Sequence, residues 1–226
     1  KAIEGGADMV ELDVRTTKDG HMVLMHDATI DATTNGSGNV SDYTLEELRS
    51  FSMERGGKVY LENGQPVRVP TLEEALRYCK GKMFINLDLK GVASRSDLVK
   101  IIQDTGMQGQ VMLYCSSSVA KDYQNRDKTI AVHPHIGSAS DIDQYASCPG
   151  AKLFQYNYSL WLDGGSIAKD IRAKGFLSYS NLLNYDTQTM AGNYVYIDRL
   201  IDSETDFIQT DRCEAVASYL RAKGLR

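Results

Sequence analysis

Three short segments of this 226-residue chain put acid, base and cation side by side. In Glu11-Leu12-Asp13-Val14, two carboxylates stand two residues apart inside an apolar run, and in an extended strand that spacing turns both toward one face. Such a pair is costly in apolar surroundings unless a cation meets it. The same spacing recurs in Asn86-Leu87-Asp88-Leu89-Lys90, where Asp88 and Lys90 share a face at the end of their run. Together Glu11, Asp13 and Asp88 offer the hard oxygen donors that hold Mg²⁺ or Ca²⁺, with water completing the shell. Taken singly, either pair also suits a rim residue facing solvent. The third segment ends in His26, an imidazole able to give or take a proton near neutral pH, or else a structural histidine capped by its neighbours.

These residues need strands to hold them. Apolar, β-branched or aromatic runs at 9–14, 83–89, 111–115, 129–133, 153–158, 176–180 and 206–211 alternate with helical spacing at 71–79, 94–105, 119–124, 139–146, 166–174, 190–202 and 214–223. Strand followed by helix, repeated, predicts a parallel sheet. The run 21–27 follows the first strand across Asp19-Gly20, a hairpin signal, so it is expected to pair antiparallel beside it. Seven parallel-type strands, with one strand–helix unit expected upstream, make a single (β/α)8 TIM-barrel domain that lacks its first strand and helix. An open doubly wound sheet is the alternative, but no G-x-G-x-x-G follows the first strand. Catalytic groups in barrels sit at the carboxyl ends of the strands, which is where Asp88 and Lys90 fall.

Composition narrows the classes further. Hydrophobic residues at 42% and charged residues at 24% allow a sizeable core and exclude a disordered chain. With 25 Lys and Arg against 30 Asp and Glu, the net charge of -5 argues against nucleic acid or an anionic membrane surface as the main partner. Cys79, Cys115, Cys148 and Cys213 form no C-x-x-C pair and read as small buried apolar residues. No run approaches the ~18 apolar residues of a membrane helix, and no signal peptide is visible at Lys1. Lys1 to Asp8 read as the last turn of a helix capped at Gly5 or Gly6, so a segment before Lys1 is expected.

The stretch GADMVELDVRTTKDGHMVLMHDATIDATTNGSG, followed by VPTLEEAL and then MFINLDLK, resembles the glycerophosphodiester phosphodiesterase family in order and spacing. The likeness is close to about Lys90 and looser beyond, where QVMLYCSSS and DFIQTD resemble the family's serine-rich and closing Thr-Asp strands. It implies a TIM barrel and the metal-dependent hydrolysis of a small glycerophosphodiester to glycerol phosphate and an alcohol. By position, Glu11 and Asp13 resemble two metal ligands and His26 one of two catalytic histidines. Asp88 stands where the family usually has a glutamate ligand, and Lys90 where it has a phosphate-facing lysine. The family's His-Arg-Gly and Pro-Glu-Asn-Thr segments, with the other histidine and a phosphate-binding arginine, would precede Lys1.

Several residues carry two readings. Tyr156, Tyr158 and Trp161, on a loop expected to overhang the barrel mouth, could form an aromatic wall for substrate or pack as core and loop anchor. His133 and His135 flank Pro134 and could line the pocket, with packing beside a rigid turn the favoured reading, while His21 is expected to be exposed. Tyr179-Ser180 replaces a Trp-Thr pair common in the family. The loop with Asn35, Gly36 and Gly38 reads as turn geometry, and Thr44 with Glu47 as a capping box. Two other functions are weighed beside hydrolysis: an impaired relative that binds a phosphorylated ligand, and a related phosphodiesterase acting on phospholipid head groups. The sequence leaves localisation largely open, with a periplasmic or extracellular location set ahead of a cytoplasmic one, and it leaves the oligomeric state open.

Overall fold

The computed structural model describes residues 1–148, 150–157 and 166–226. They divide into two compact units, Glu11–Val111 and a second made of Lys1–Val10 with Met112–Arg226.

In the first unit, β1 (Met9–Thr16, all but its first two residues in this unit) is flanked by β2 (Met22–Leu24) and β3 (Phe84–Gly91). β1 and β2 pair antiparallel with Val14 opposite Leu24 and Thr16 opposite Met22, as the Asp19-Gly20 turn predicts. The turn is fixed by Thr17, whose hydroxyl donates to Asp19 and whose backbone N–H donates to the carbonyl of His21. Both helices here that follow a Thr-x-x-Glu signal begin as it requires: α1 (Leu45–Ser50) and α2 (Leu72–Cys79) carry reciprocal capping boxes at Thr44/Glu47 and Thr71/Glu74. α3 (Arg95–Thr105) is capped by the Ser94 hydroxyl and closed by Gly106 in the left-handed conformation.

Two antiparallel ribbons, Glu54–Arg55 with Lys58–Val59 and Leu61–Glu62 with Gln65–Pro66, were not foreseen. The second turns on Asn63-Gly64, both at positive φ as a type I′ turn demands. Strands two residues long bury too little to leave a hydrophobic alternation.

The second unit alternates strand and helix. β4 (Val111–Tyr114, from Met112 onward in this unit) pairs parallel with β5 (Ala131–His133). β6 (His135–Ile136), β7 (Leu153–Asn157), β8 (Leu177–Asn181) and β9 (Phe207–Gln209) pair parallel in that order. Between them run α4 (Ser117–Arg126), α5 (Asp141–Ala146), α6 (Ile167–Ala173), α7 (Asp186–Met190) and α8 (Val195–Asp202), and α9 (Cys213–Ala222) follows β9. The single helix expected over 190–202 is corrected to two, broken where Gly192 takes positive φ.

Lys1 to Ala7 form a closing turn: the Ala7 N–H donates to the Ala2 carbonyl and the Gly6 N–H to that of Ile3, with Gly6 left-handed. This is the hydrogen-bond pattern of a Schellman motif, with Gly6 rather than Gly5 of the two expected candidates in the left-handed position. Cys79 and Cys148 are buried, whereas Cys115 and Cys213 are only half-buried, and all four are free thiols. Among the described residues no helix is long and apolar enough to cross a membrane.

Candidate active site

Alternation along β1 and β3 brings the predicted acids together. Glu11 and Asp13 point from one face of β1, Asp88 from the neighbouring β3, and one carboxylate oxygen from each lies within 4.8 Å of the others. No other group of three His, Cys, Asp or Glu side chains among the described residues meets this measure. The environment resists three negative charges. Burial, and then the neighbouring Asp13 and Asp88 carboxylates, push the Glu11 carboxyl up to about 7. Burial likewise raises Asp13. Glu11 Oε1 is buried without a hydrogen-bond partner, and such an orphaned acceptor suits a bound ion or an ordered water.

Lys90 supplies part of the counter-charge. Its Nζ lies 2.7 Å from Asp88 Oδ2 and 3.6 Å from Asp13 Oδ1, and its hydrogen bond to Asp88 raises the ammonium above the usual lysine range. The side chain spans both acidic strands. One monocation against three carboxylates leaves the cluster short of positive charge, and an all-oxygen donor set with one buried empty acceptor fits a hard divalent cation.

His26 reaches the same neighbourhood from β2. Val23 and Met25 are buried in an apolar cluster with Ile30, Val40, Leu48 and Val69, packed by Tyr43, Leu45, Phe51 and Met53. His26 lies beyond the end of β2, with its side chain 70% exposed. Its field acts on both Asp13 and Glu11. The imidazole Nδ1 lies 2.7 Å from Asp27 Oδ1, so the carboxylate holds the proton on Nδ1 and leaves Nε2 to exchange one. Two backbone ties fix the arm: the Met25 N–H donates to the Asp13 carbonyl at 3.1 Å, and Arg15 Nε and Nη2 donate to the His26 carbonyl at 3.1 and 2.7 Å.

Arg15 and Asp27 are the site residues that sequence reasoning missed. A signal for Arg15 existed, since positions 11, 13 and 15 of a strand share one face. Asp27 is a neighbour that only the side-chain rotamers connect to the imidazole.

The remaining candidates fare differently. Tyr156 does not lie on a loop: it belongs to β7, is fully buried, and its hydroxyl bonds Thr205 at 2.6 Å, so it packs as core. Burial raises its phenol accordingly. Trp161 and Tyr158 lie outside the described residues. His133 is fully buried against the rings of Tyr114 and Tyr179, and burial pushes its imidazole down to about 3, as packing beside a turn predicts. His135 meets Asn157 at 3.2 Å, and His21 is exposed beside Asp19.

The chain is similar to known proteins in sequence and in fold. A sequence model of the glycerophosphoryl diester phosphodiesterase family matches residues 1–210. A glycerophosphodiester phosphodiesterase of Caldanaerobacter subterraneus is 38% identical over 146 residues, which are 61% of this chain and 56% of that protein. The Bacillus subtilis protein YhdW is 32% identical over 183 residues, 81% of this chain and 66% of the relative. The match thus spans less than two thirds of either relative. Among solved structures, a glycerophosphoryl diester phosphodiesterase from Parabacteroides distasonis superposes with a TM-score of 0.81 at 24% identity, covering 95% of this chain and 76% of that one. An Oleispira antarctica phosphodiesterase in complex with the product sn-glycerol-3-phosphate gives 0.79 at 20% identity, covering 97% and 87%. At these identities the likeness establishes the fold, the TIM barrel of those enzymes.

Proposed function

Because this chain belongs to the glycerophosphoryl diester phosphodiesterase family, we propose that it hydrolyses a small glycerophosphodiester to glycerol phosphate and an alcohol, in one catalytic domain, with a divalent cation bound. One observation carries the reading: three carboxylates converge within 4.8 Å, with a buried acceptor of Glu11 unsatisfied, beside the Lys90 ammonium and the His26 imidazole.

Glu11, Asp13 and Asp88 would hold the cation, Mg²⁺ or Ca²⁺, and it would act as Lewis acid and template for a phosphoryl oxygen. Lys90 would hand part of its charge from Asp88 to another phosphoryl oxygen, offsetting the negative charge that grows there as the phosphorus–oxygen bond to the alcohol breaks. His26 serves as one of two proton-transfer groups. With Asp27 keeping a proton on Nδ1, Nε2 either takes a proton from the attacking water or, once protonated, gives one to the departing alcohol.

Asp88 is one methylene shorter than the glutamate common in the family and would offer its carboxylate to the cation from nearer its own strand. The assay that tests the reading follows release of alcohol from glycerophosphocholine and its analogues by the full-length protein, with and without chelator. Loss of turnover with chelator, restored by Mg²⁺ or Ca²⁺, is expected. Chelator-insensitive turnover removes the cation from the scheme, and no turnover of any glycerophosphodiester removes the reaction.

A further inference from the structure

We infer that Arg15 is a positioning residue for His26, holding the imidazole at a fixed span from the carboxylate cluster; the inference rests on the proton-transfer role of His26 proposed above. β2 ends at Leu24, two residues before His26, and its arm makes a further backbone–backbone bond to β1 from the Met25 N–H to the Asp13 carbonyl. Beyond that point the guanidinium takes over. Arg15 Nε and Nη2 both donate to the His26 carbonyl, at 3.1 and 2.7 Å. Two donors on one acceptor fix the peptide in direction as well as distance. A planar guanidinium presents such a fork ready-made, whereas a lysine ammonium on a flexible stem cannot.

Gly91, at the end of β3, neighbours this side chain: a Cβ built on it would meet Arg15 Nη1 at 3.4 Å and Cγ at 3.8 Å, ordinary contact distances. Arg15 also projects from the face of β1 that carries Glu11 and Asp13. The strand that gathers the acids therefore also sets where the imidazole stands, through a side chain whose guanidinium bonds the His26 carbonyl. Misplacement of a reacting group by about 1 Å costs about 10²-fold in rate.

The test compares Arg15→Ala, Arg15→Lys, His26→Ala and the Arg15→Ala/His26→Ala double variant in the full-length protein. Turnover of glycerophosphocholine, calorimetric titration with Mg²⁺ or Ca²⁺, and the ¹H–¹⁵N signals of the His26 ring are measured. Arg15→Ala is expected to lower kcat about 10- to 100-fold while KM and cation affinity stay close to those of the parent. Lysine restores little of the loss, and added guanidinium ion restores part of it. The His26 ring signals shift or broaden. In the His26→Ala background Arg15→Ala costs nothing further. A folded Arg15→Ala protein with parental kcat and unmoved ring signals overturns the inference, as does an equal loss in the His26→Ala background or a parallel loss of cation binding. Should the alanine variant fail to fold, Arg15→Lys and Arg15→Gln are judged by the same criteria. Parental kcat in His26→Ala refutes the proton-transfer role instead, and the ring signals still report whether Arg15 holds the arm.

Discussion

Lys90 stands between two tasks at the residue scale. Its ammonium sits on Asp88 and near Asp13, so it competes with any cation for the same oxygens and yet supplies charge for a phosphoryl group. Unit charges about 4 Å apart interact by about 1 to 4 kcal/mol between the dielectric of water and that of a protein surface. Lys90→Met is therefore expected to tighten divalent-cation binding about tenfold and to lower kcat. Calorimetry and turnover, measured on the same preparation, check both signs; weaker cation binding in the variant would show that Lys90 organises the acids rather than competing for them. His26→Ala is expected to cost about 10² to 10⁴ in kcat without unfolding the protein. Near-parental turnover in a folded variant would remove the imidazole from the chemistry.

At the scale of elements, the exposed His26 depends on a buried platform. Val23 enters the apolar cluster from β2 and Met25 from the residue that follows it, and Leu48 enters from α1, fully buried. α1 is only 6 residues long and owes its start to the Thr44/Glu47 box. Leu48→Ala leaves a cavity in that cluster and is expected to destabilise the protein by about 2 to 5 kcal/mol. It should also lower kcat, because Met25 immediately precedes the catalytic arm. Urea unfolding followed by turnover in the absence of denaturant separates the two effects. Full stability of Leu48→Ala would mean that the cluster collapses freely around the deletion.

For the whole molecule, two buried groups pull the pH dependence of stability in opposite directions. Glu11 titrates near 7 when folded and near 4.5 as an unperturbed side chain. Its contribution is present at low pH and is lost as pH rises through 7, because the folded state holds the proton longer than the unfolded state. His133 is the reverse, titrating near 3 when folded and near 6.5 otherwise. Its contribution is present above 6.5 and is lost as pH falls toward 3. Between about 4.5 and 6.5 the two slopes offset each other. In chelator, Glu11→Gln is expected to remove the fall in melting temperature on the neutral side, and a divalent cation should raise the parent's melting temperature more at pH 8 than at pH 5, since binding requires the carboxylate. Thermal unfolding from pH 5 to 8 checks this. An unchanged slope in Glu11→Gln would assign the neutral-side loss to other groups.

Sequence alone determined the strand–helix alternation, the β1–β2 hairpin, the capping boxes and the pairing of acids by strand parity. These are local: they follow from a two-residue or 3.6-residue repeat and from turn and cap chemistry within a few positions. It also singled out Glu11, Asp13, Asp88, Lys90 and His26, because charge in an apolar run is visible without a fold. What it left open needed distances between residues far apart in the chain. Whether Tyr156 lined a pocket or filled the core was decided by Thr205, 49 positions away. The role of Arg15 was decided by a carbonyl 11 residues on, and the break at Gly192 by a backbone angle. Side-chain type and spacing specify which face a group occupies, but only the packed chain specifies what waits opposite it.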